Sequence, residues 1–242
     1  MSKITKRKQQ ILELLENVEQ PCQPMDAIKA LRSISEKVSK FNETMECHMR
    51  LGINVKHADQ QVRSTVVLPE GTGKIVRVAV VAKGEKVKEA ELNGADFFGG
   101  DDLIDKIKDG WLEFDTLIAT PDIMGQLSKL GRMLGPKGLM PSPKTGTLTF
   151  EVANAIKDAK AGKVEFRADK QGMVHVPIGK MDFTDDALVH NFAALTDAII
   201  KAKPSVAKGT YLKSIYLCTT MGPGIKIETN QIGNEIKQYL NQ

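Results

Sequence analysis

The chain is poor in several things that would narrow its function. Among 242 residues there are three cysteines, one tryptophan and three tyrosines. Cys22, Cys47 and Cys218 stand far apart with no CxxC pair. Neither a disulfide framework nor a zinc motif is therefore expected, and a reducing, cytosolic-type compartment is. No stretch approaches the roughly 20 apolar residues of a membrane span, so no membrane partner is expected. The opening MSKITKRKQQILELLEN has no apolar h-region and reads as neither leader nor transit segment. Catalytic signatures are missing as well: there is no GxSxG elbow and no HExxH helix, and His48, His57, His175 and His190 are scattered. The Asp pairs at 101–102 and 185–186 open apparent helices, where acids complement the dipole. No catalytic residue, cofactor or metal is expected.

One stretch lacks acids altogether. SKLGRMLGPKGLMPSPKTGTL, residues 128–148, holds four Gly, three Pro and four Lys or Arg. A glycine-rich basic segment suggests a phosphate cradle, but GRMLGPKG does not have the GxxxxGK[ST] spacing that aims backbone N–H groups at phosphates. Pro136 removes one of those donors. A GxGxxG fingerprint after a strand is absent too. An α/β fold alone does not supply a nucleotide site.

The rest of the sequence is 41% apolar and 26% charged with net charge +4, which fits a globular protein and suits a polyanionic partner without requiring one. KRKQQILELLENV sets Ile11, Leu14, Leu15 and Val18 at helical spacing, and a second helix opens at Pro24 with Ile28, Leu31 and Val38 inward. ETMECHMRLGIN alternates: Met45, Cys47, Met49, Leu51 and Ile53 share one face, and Thr44, Glu46, His48 and Arg50 the other. That pattern predicts a half-buried strand, with VRSTVVL at 62–68 as its partner. From PEGTGK, 69–74, the texture changes. IVRVAVVA reads as a strand buried on both faces, and short strands and helices then alternate to about residue 160, which predicts a largely parallel α/β unit. After AGK, 161–163, VEFRADKQGMVHVPIGK predicts a hairpin turning at 169–172. A helix carries Leu188, Phe192, Leu195 and Ile199, GTYLKSIYLCTT forms a strand ending in MGPG, and GNEIKQYLNQ reads as a frayed helix.

These changes of style predict two domains, the second inserted into the first. The outer one joins 1–69 to 161–242 and the insert spans 70–160, with Pro69, Gly71, Gly73 and Gly162 as hinge positions at the two crossings. The outer segments carry net +5 and the insert −1, so the basic excess lies outside the unit with the glycine-rich stretch. What stands out in the outer domain is its polar sheet face. Thr44, Glu46, His48 and Arg50 project from one strand, with Lys40 and Phe41 just before it. Ser214, Tyr216, Cys218 and Thr220 share a parity on the last strand, which Met221 and Gly222 close. A small hydroxyl, an acceptor and exposed glycine backbone suit the shallow minor groove of duplex RNA. A patch of lysines alone would grip phosphate without choosing a site. A solvated scaffold face and a nucleotide-dependent enzyme built on the insert are the competing readings.

Several segments in register, KFNETMECHMRLGI, DQQVRSTVVLPEGTGK, GRMLGPKGLMPSPKTGT, FRADKQGMVHVPIGK and CTTMGPG, resemble the large ribosomal subunit protein L-one family of the bacterial or plastid type. The resemblance implies a discontinuous α+β RNA-binding domain with an inserted Rossmann-like three-layer α/β domain, and no enzymatic activity. It implies binding to large-subunit rRNA at the mobile stalk beside the E site, a part in release of deacylated tRNA, and repression of the protein's own operon mRNA. It also implies contact with other ribosomal components, a monomer when free, and a cytoplasmic location compatible with a plastid or other organelle stroma. Phe41, Thr44 and Glu46 match the family's F-x-x-T-x-E contact strand, and Thr220, Met221 and Gly222 its T-M-G triplet. Lys40, His48, Arg50, Arg63, Asp169, Lys170, His175 and Ser214 are further RNA-binding candidates by position. The acid-free stretch 128–148 is expected on a surface where it touches rRNA or tRNA backbone.

Overall fold

The computed structural model describes residues 5–16, 18–230 and 232–240. The reading of the opening segment over residues 1–4 and of the last two residues of the tail lies outside these. The elements run α1 (Lys6–Leu15), α2 (Pro24–Val38), β1 (Thr44–Leu51), β2 (Arg63–Val67), β3 (Val78–Val81), α3 (Glu85–Leu92), β4 (Phe97–Gly99), α4 (Asp101–Lys108) and β5 (Thr116–Ala119). They continue α5 (Met124–Leu127), α6 (Gly131–Leu134), α7 (Val152–Lys160), β6 (Lys163–Arg167), β7 (Met173–Lys180), α8 (Asp185–Lys201), β8 (Leu212–Thr219), β9 (Gly224–Ile227) and α9 (Ile232–Leu240). The chain is a mixed α/β protein that divides into two compact units, Met1–Gly73 with Val164–Gln242, and Lys74–Lys163. No helix among the described residues is long and apolar enough to cross a membrane.

In the discontinuous unit, a four-stranded sheet runs β7-β1-β8-β9. Its inner face meets α2 and α8 in one core that includes Ile28, Leu31, Met45, Met49, Val174, Phe192 and Leu217, all buried. β1 has the alternation its sequence predicts, with Met45, Cys47, Met49 and Leu51 buried between outward neighbours. The helix stripe of Leu188, Phe192, Leu195 and Ile199 is wholly buried. Thr184 caps that helix by accepting from the Ala187 N–H at 3.2 Å. Asp185 instead accepts from Arg32 Nε at 2.8 Å, and the same guanidinium donates to the Met181 and Phe183 carbonyls. That Asp is thus a tie between α2 and α8 as well as a dipole complement.

Three expectations change. VRSTVVL does not pair with β1: β2 pairs with β6 in a separate two-stranded sheet, and the partners of β1 are β7 and β8. Alternation fixes which face a residue takes but says nothing about its neighbour across the ladder. The turn at 169–172 forms, with Asp169 Oδ1 accepting from the Gln171 and Met173 N–H groups. The strands on either side of it enter different sheets, so it closes no hairpin. The tail is a packed helix rather than a frayed one, for α9 buries Ile232 and Ile236 in the core.

Two irregularities shape the ladder. Between Met45 and Glu46 the β7 partner skips from Gly179 to Pro177, leaving Ile178 as an extra residue. Its carbonyl is met by the buried Asn191, whose Nδ2 donates to it at 2.8 Å and to the Gly71 carbonyl at 2.9 Å, while Oδ1 accepts from the Glu70 N–H at 3.0 Å. At the other end of β1, Gly52 donates to the Tyr211 carbonyl at 2.6 Å. A Cβ there would sit 2.1 Å from the Thr210 carbonyl oxygen, so only glycine fits.

The second unit is a parallel three-stranded sheet, β4-β3-β5. All four residues of β3 are buried, as its unbroken apolar run predicts for a strand covered on both faces. One face packs against α3 and α7 through Val78, Val80, Ala90 and Ile156. The other packs against α4, α5 and α6 through Val81, Ile104, Leu127 and Leu134. Residues 128–148 form helical turns, with Leu130 and Leu134 buried and Lys129, Arg132, Lys137 and Lys144 exposed. Ser142 organises the second half of the stretch: its carbonyl accepts from the Thr145 hydroxyl at 3.0 Å and its N–H donates to Thr147 Oγ1 at 3.0 Å.

Candidate nucleic-acid interface

The outward face of the four-stranded sheet is ordered in rows set by the ladder register. Pro177, Glu46, Cys218 and Gly224 lie across from one another in the first row. His175, His48, Tyr216 and Lys226 form the second, and Met173, Arg50 and Ser214 the third. Side chains opposite each other on one face are about 4.5–5.5 Å apart at Cβ, so the polar groups of each row are neighbours, with Pro177, Gly224 and Met173 at the row ends. Thr44 stands opposite Lys180 at the end of β1. The composition is mixed, with hydroxyl, carboxylate, imidazole, phenol and cations interleaved.

Just beyond β8, the turn carrying Thr220, Met221 and Gly222 is bonded to the start of β1. Thr220 N–H donates to the Thr44 carbonyl at 3.0 Å, and Thr44 N–H donates to Thr220 Oγ1 at 3.0 Å. The Thr220 hydroxyl donates in turn to the Thr44 carbonyl at 3.3 Å. Gly222 N–H closes the turn on the Thr219 carbonyl at 3.1 Å. A Cβ on Gly222 would stand 2.2 Å from Thr219 Oγ1, so a larger residue there would have to displace that hydroxyl. β9 follows directly and makes this turn the tip of a β8–β9 hairpin. Met221 and Phe41 are exposed large apolar side chains, at 47% and 56%. Lys40 is exposed beside Phe41.

A buried acid supports this corner. Glu43 is 1% exposed and accepts from Ser35 Oγ at 3.0 Å. Arg7 of α1 lies 3.8 Å from the same carboxylate and donates from Nη2 to the Met221 carbonyl at 3.3 Å. Through Arg7, α1 and α2 are linked to the hairpin tip. Sequence reading passed over Glu43 because a single acid beside a strand carries no period. Lys226 and Tyr216 were likewise not singled out as contacts. The alternation in GIKI could have found Lys226, and the parity of Tyr216 was already visible.

The two histidines meet. His48 Nδ1 is 2.7 Å from His175 Nδ1, with the rings edge to face, and His48 Nε2 is 2.9 Å from Cys218 Sγ. Burial lowers the pKa of His48, with His175 adding to the effect against the pull of Glu46. Burial raises the Cys218 thiol to about 11, helped by the carboxylates of Glu46 and Glu43. A neutral imidazole nitrogen is a far better acceptor than a thiol sulfur. The thiol therefore donates to Nε2, and the Nδ1–H of His48 donates to His175. His175 Nε2 lies 3.9 Å from Asp169 Oδ2. The carboxyl of Asp169 is held below its usual range chiefly by the Met173 and Gln171 N–H groups.

Of the sequence candidates, Thr44, Glu46, His48, Arg50, His175 and Ser214 come together on this one face, with Thr220, Met221 and Gly222 at its corner. Lys40 and Phe41 precede β1, and Asp169 and Lys170 occupy the exposed turn before β7. Arg63 is set apart: it lies in the two-stranded sheet, its Nε 2.5 Å from Glu165 Oε1. Of the hinge candidates, Gly71, Gly73 and Gly162 have φ of 70°, 69° and 94°, conformations that favour glycine. Pro69 immediately precedes the Asn191 tie. Such a face could bind structured RNA, since it offers acceptors and hydroxyls to ribose edges and cations to phosphates.

A family model described as the Ribosomal protein L1p/L10e family matches residues 31–223. The match takes in β1, the whole second unit, the β7 strand and the T-M-G turn, and leaves α1, β9 and α9 outside. The chain therefore belongs to the ribosomal protein L1p/L10e family and is an rRNA-binding structural protein of the ribosome.

Proposed function

We propose that the protein binds large-subunit rRNA at the mobile stalk beside the E site through the outward face of the β7-β1-β8-β9 sheet. The discontinuous unit is then the RNA-binding domain. The observation that carries this reading is the mixed composition of the face, which joins three ordered, mostly polar rows to a glycine turn at one corner. Lys40, Arg50, Lys170 and Lys226 supply phosphate contacts and hence salt-dependent affinity. Thr44, Glu46, Ser214, Thr220 and the backbone at Met221–Gly222 select the site, and Phe41 offers an aromatic face for stacking. Arg63 serves as a flanking phosphate contact.

From the motif resemblance we carry further that the protein is of the bacterial or plastid type, assists release of deacylated tRNA and represses its own operon mRNA. It acts in the cytoplasm or an organelle stroma and is a monomer when free of the ribosome. The exposed cations of residues 128–148 touch rRNA or tRNA backbone. Joints at Pro69–Gly73 and Gly162 allow the two units to move.

The test is a titration of the purified chain against the rRNA stalk element and a scrambled duplex of equal length at about 0.15 M salt. A preference of about a thousandfold, by analogy with specific DNA-binding proteins, supports the reading. Equal weak binding to both refutes it.

A further inference from the structure

We propose that Glu46, His48 and Cys218 form a binding site for a soft divalent cation of the zinc class. One ligand atom from each lies within 4.8 Å of the others. Two of the three come from one strand and the third from its neighbour: Glu46 and His48 share a face of β1, and Cys218 stands directly across from Glu46 on β8. The donors are therefore fixed by paired backbone and not by a loop. Their tips are only partly covered, His48 at 22% and Glu46 at 41% exposed, so an ion can enter from solvent.

The two separations from His48 are close to those a bound ion needs. His48 Nε2 is 2.9 Å from Cys218 Sγ and 3.8 Å from Glu46 Oε2. Tetrahedral zinc, with bonds of about 2.3 Å to sulfur and 2.0 Å to nitrogen or oxygen, sets those pairs about 3.5 Å and 3.3 Å apart. Each gap changes by about half an ångström, which χ rotations of Glu46 and Cys218 supply. Thiolate with imidazole favours zinc-like ions and disfavours magnesium and calcium. The fourth position falls to water, because the site has three protein ligands.

Behind the site the order is already that of a metal centre. His48 holds its second nitrogen against His175, whose far nitrogen faces Asp169. A ligating histidine ordinarily has such a partner, which fixes its tautomer. The exchange balances simply: the Cys218 S–H bond breaks, its proton goes to buffer, and a sulfur–metal bond forms with no change of oxidation state. Sequence spacing could not reveal the site, since Cys218 is 170 residues from His48. The assignment does not depend on the RNA reading.

The experiment titrates the full chain with Co²⁺ as a spectroscopic probe at about pH 7.5, where the site must lose a proton to bind. A thiolate-to-cobalt charge-transfer band that saturates at one equivalent is expected, with one proton released and Zn²⁺ displacing the signal. Cys218→Ser removes the band and Cys22→Ser keeps it. His175→Ala retains the band and weakens affinity by about tenfold. A band that survives Cys218→Ser, or wild-type protein that gives none, overturns the proposal.

Discussion

The Thr220 hydroxyl can be assigned a single role toward RNA by counting. A threonine hydroxyl has one proton to donate and two lone pairs. Here the proton goes to the Thr44 carbonyl and one lone pair takes the Thr44 N–H. One lone pair is left on an exposed side chain, so toward a ligand Thr220 can only accept. The donor that a duplex RNA minor groove presents along its length is the ribose 2′-hydroxyl. Thr220→Val keeps the shape and removes the acceptor. It is expected to weaken cognate RNA by ~1–3 kcal/mol, about 5- to 150-fold, taking base contacts as a guide. The two lost internal bonds sit at an exposed strand end and cost about 1 kcal/mol of stability. Thr220→Ser restores both effects. The decisive assay is a cycle in which the valine variant and wild type are titrated against RNAs carrying single 2′-deoxy substitutions. At one ribose the two losses should fail to add, because each removes the same bond. Additive losses at every ribose would refute the reasoning.

Lys170→Ala, in the exposed turn before β7, should lower the salt slope of RNA binding by about one while leaving specificity unchanged, as measured over a series of ionic strengths. Asn191→Leu orphans the buried Ile178 carbonyl and releases Glu70 and Gly71. Urea unfolding should show a loss of about 2–5 kcal/mol, and a loss below about 0.5 kcal/mol would contradict the tie. Gly52→Ala drives a Cβ into the Thr210 carbonyl and should cost at least about 2 kcal/mol by the same measurement. In the second unit, Lys74 and Arg77 hold Asp115 at about 2, well below its ordinary 3.8. Its contribution is therefore complete above pH 3.8 and lost as pH falls through about 2. Asp115→Asn should lower stability at neutral pH by about 1 kcal/mol, as expected for a part-exposed pair, and flatten the acid limb of the unfolding profile.

Where a local period decides the outcome, the sequence was readable. The alternation of β1 placed each of its residues on the correct face, the unbroken run of β3 marked a strand covered on both sides, and the α8 stripe named four core residues. What eluded it was adjacency between distant segments. Nothing in VRSTVVL distinguishes β1 from β6 as a partner, because period two fixes a face and leaves the neighbour open. The same gap hid the meeting of His48 with His175 and Cys218. Each looked like an isolated polar residue until the register set His48 and His175 in one row and Cys218 in the next. Glu43 and Asn191 escaped because their roles consist of bonds to groups outside their own element, Glu43 to Ser35 and Arg7 and Asn191 to the Glu70–Gly71 backbone. β9 was missed because its alternation runs for only four residues after a glycine turn and is easily passed over.

The surplus residue at Ile178 bears on how this face tolerates change. Ile178 and Gly179 both lie inward, so the in-out alternation of β7 is reset between Pro177 and Lys180. Met45 stays opposite Gly179 and Glu46 opposite Pro177 whether or not a residue intervenes. The strand could therefore lose this one position and still point His175, Pro177 and Lys180 at solvent. Loss of Gly179 would keep the same alternation, whereas loss at an interior position outside this pair would exchange inside for outside along part of the strand. The deletion would remove a core side chain and the carbonyl that Asn191 engages, so its toll would fall on folding. The chemistry of the outer surface is thereby insulated from length variation at the place where the β1–β7 ladder is already uneven.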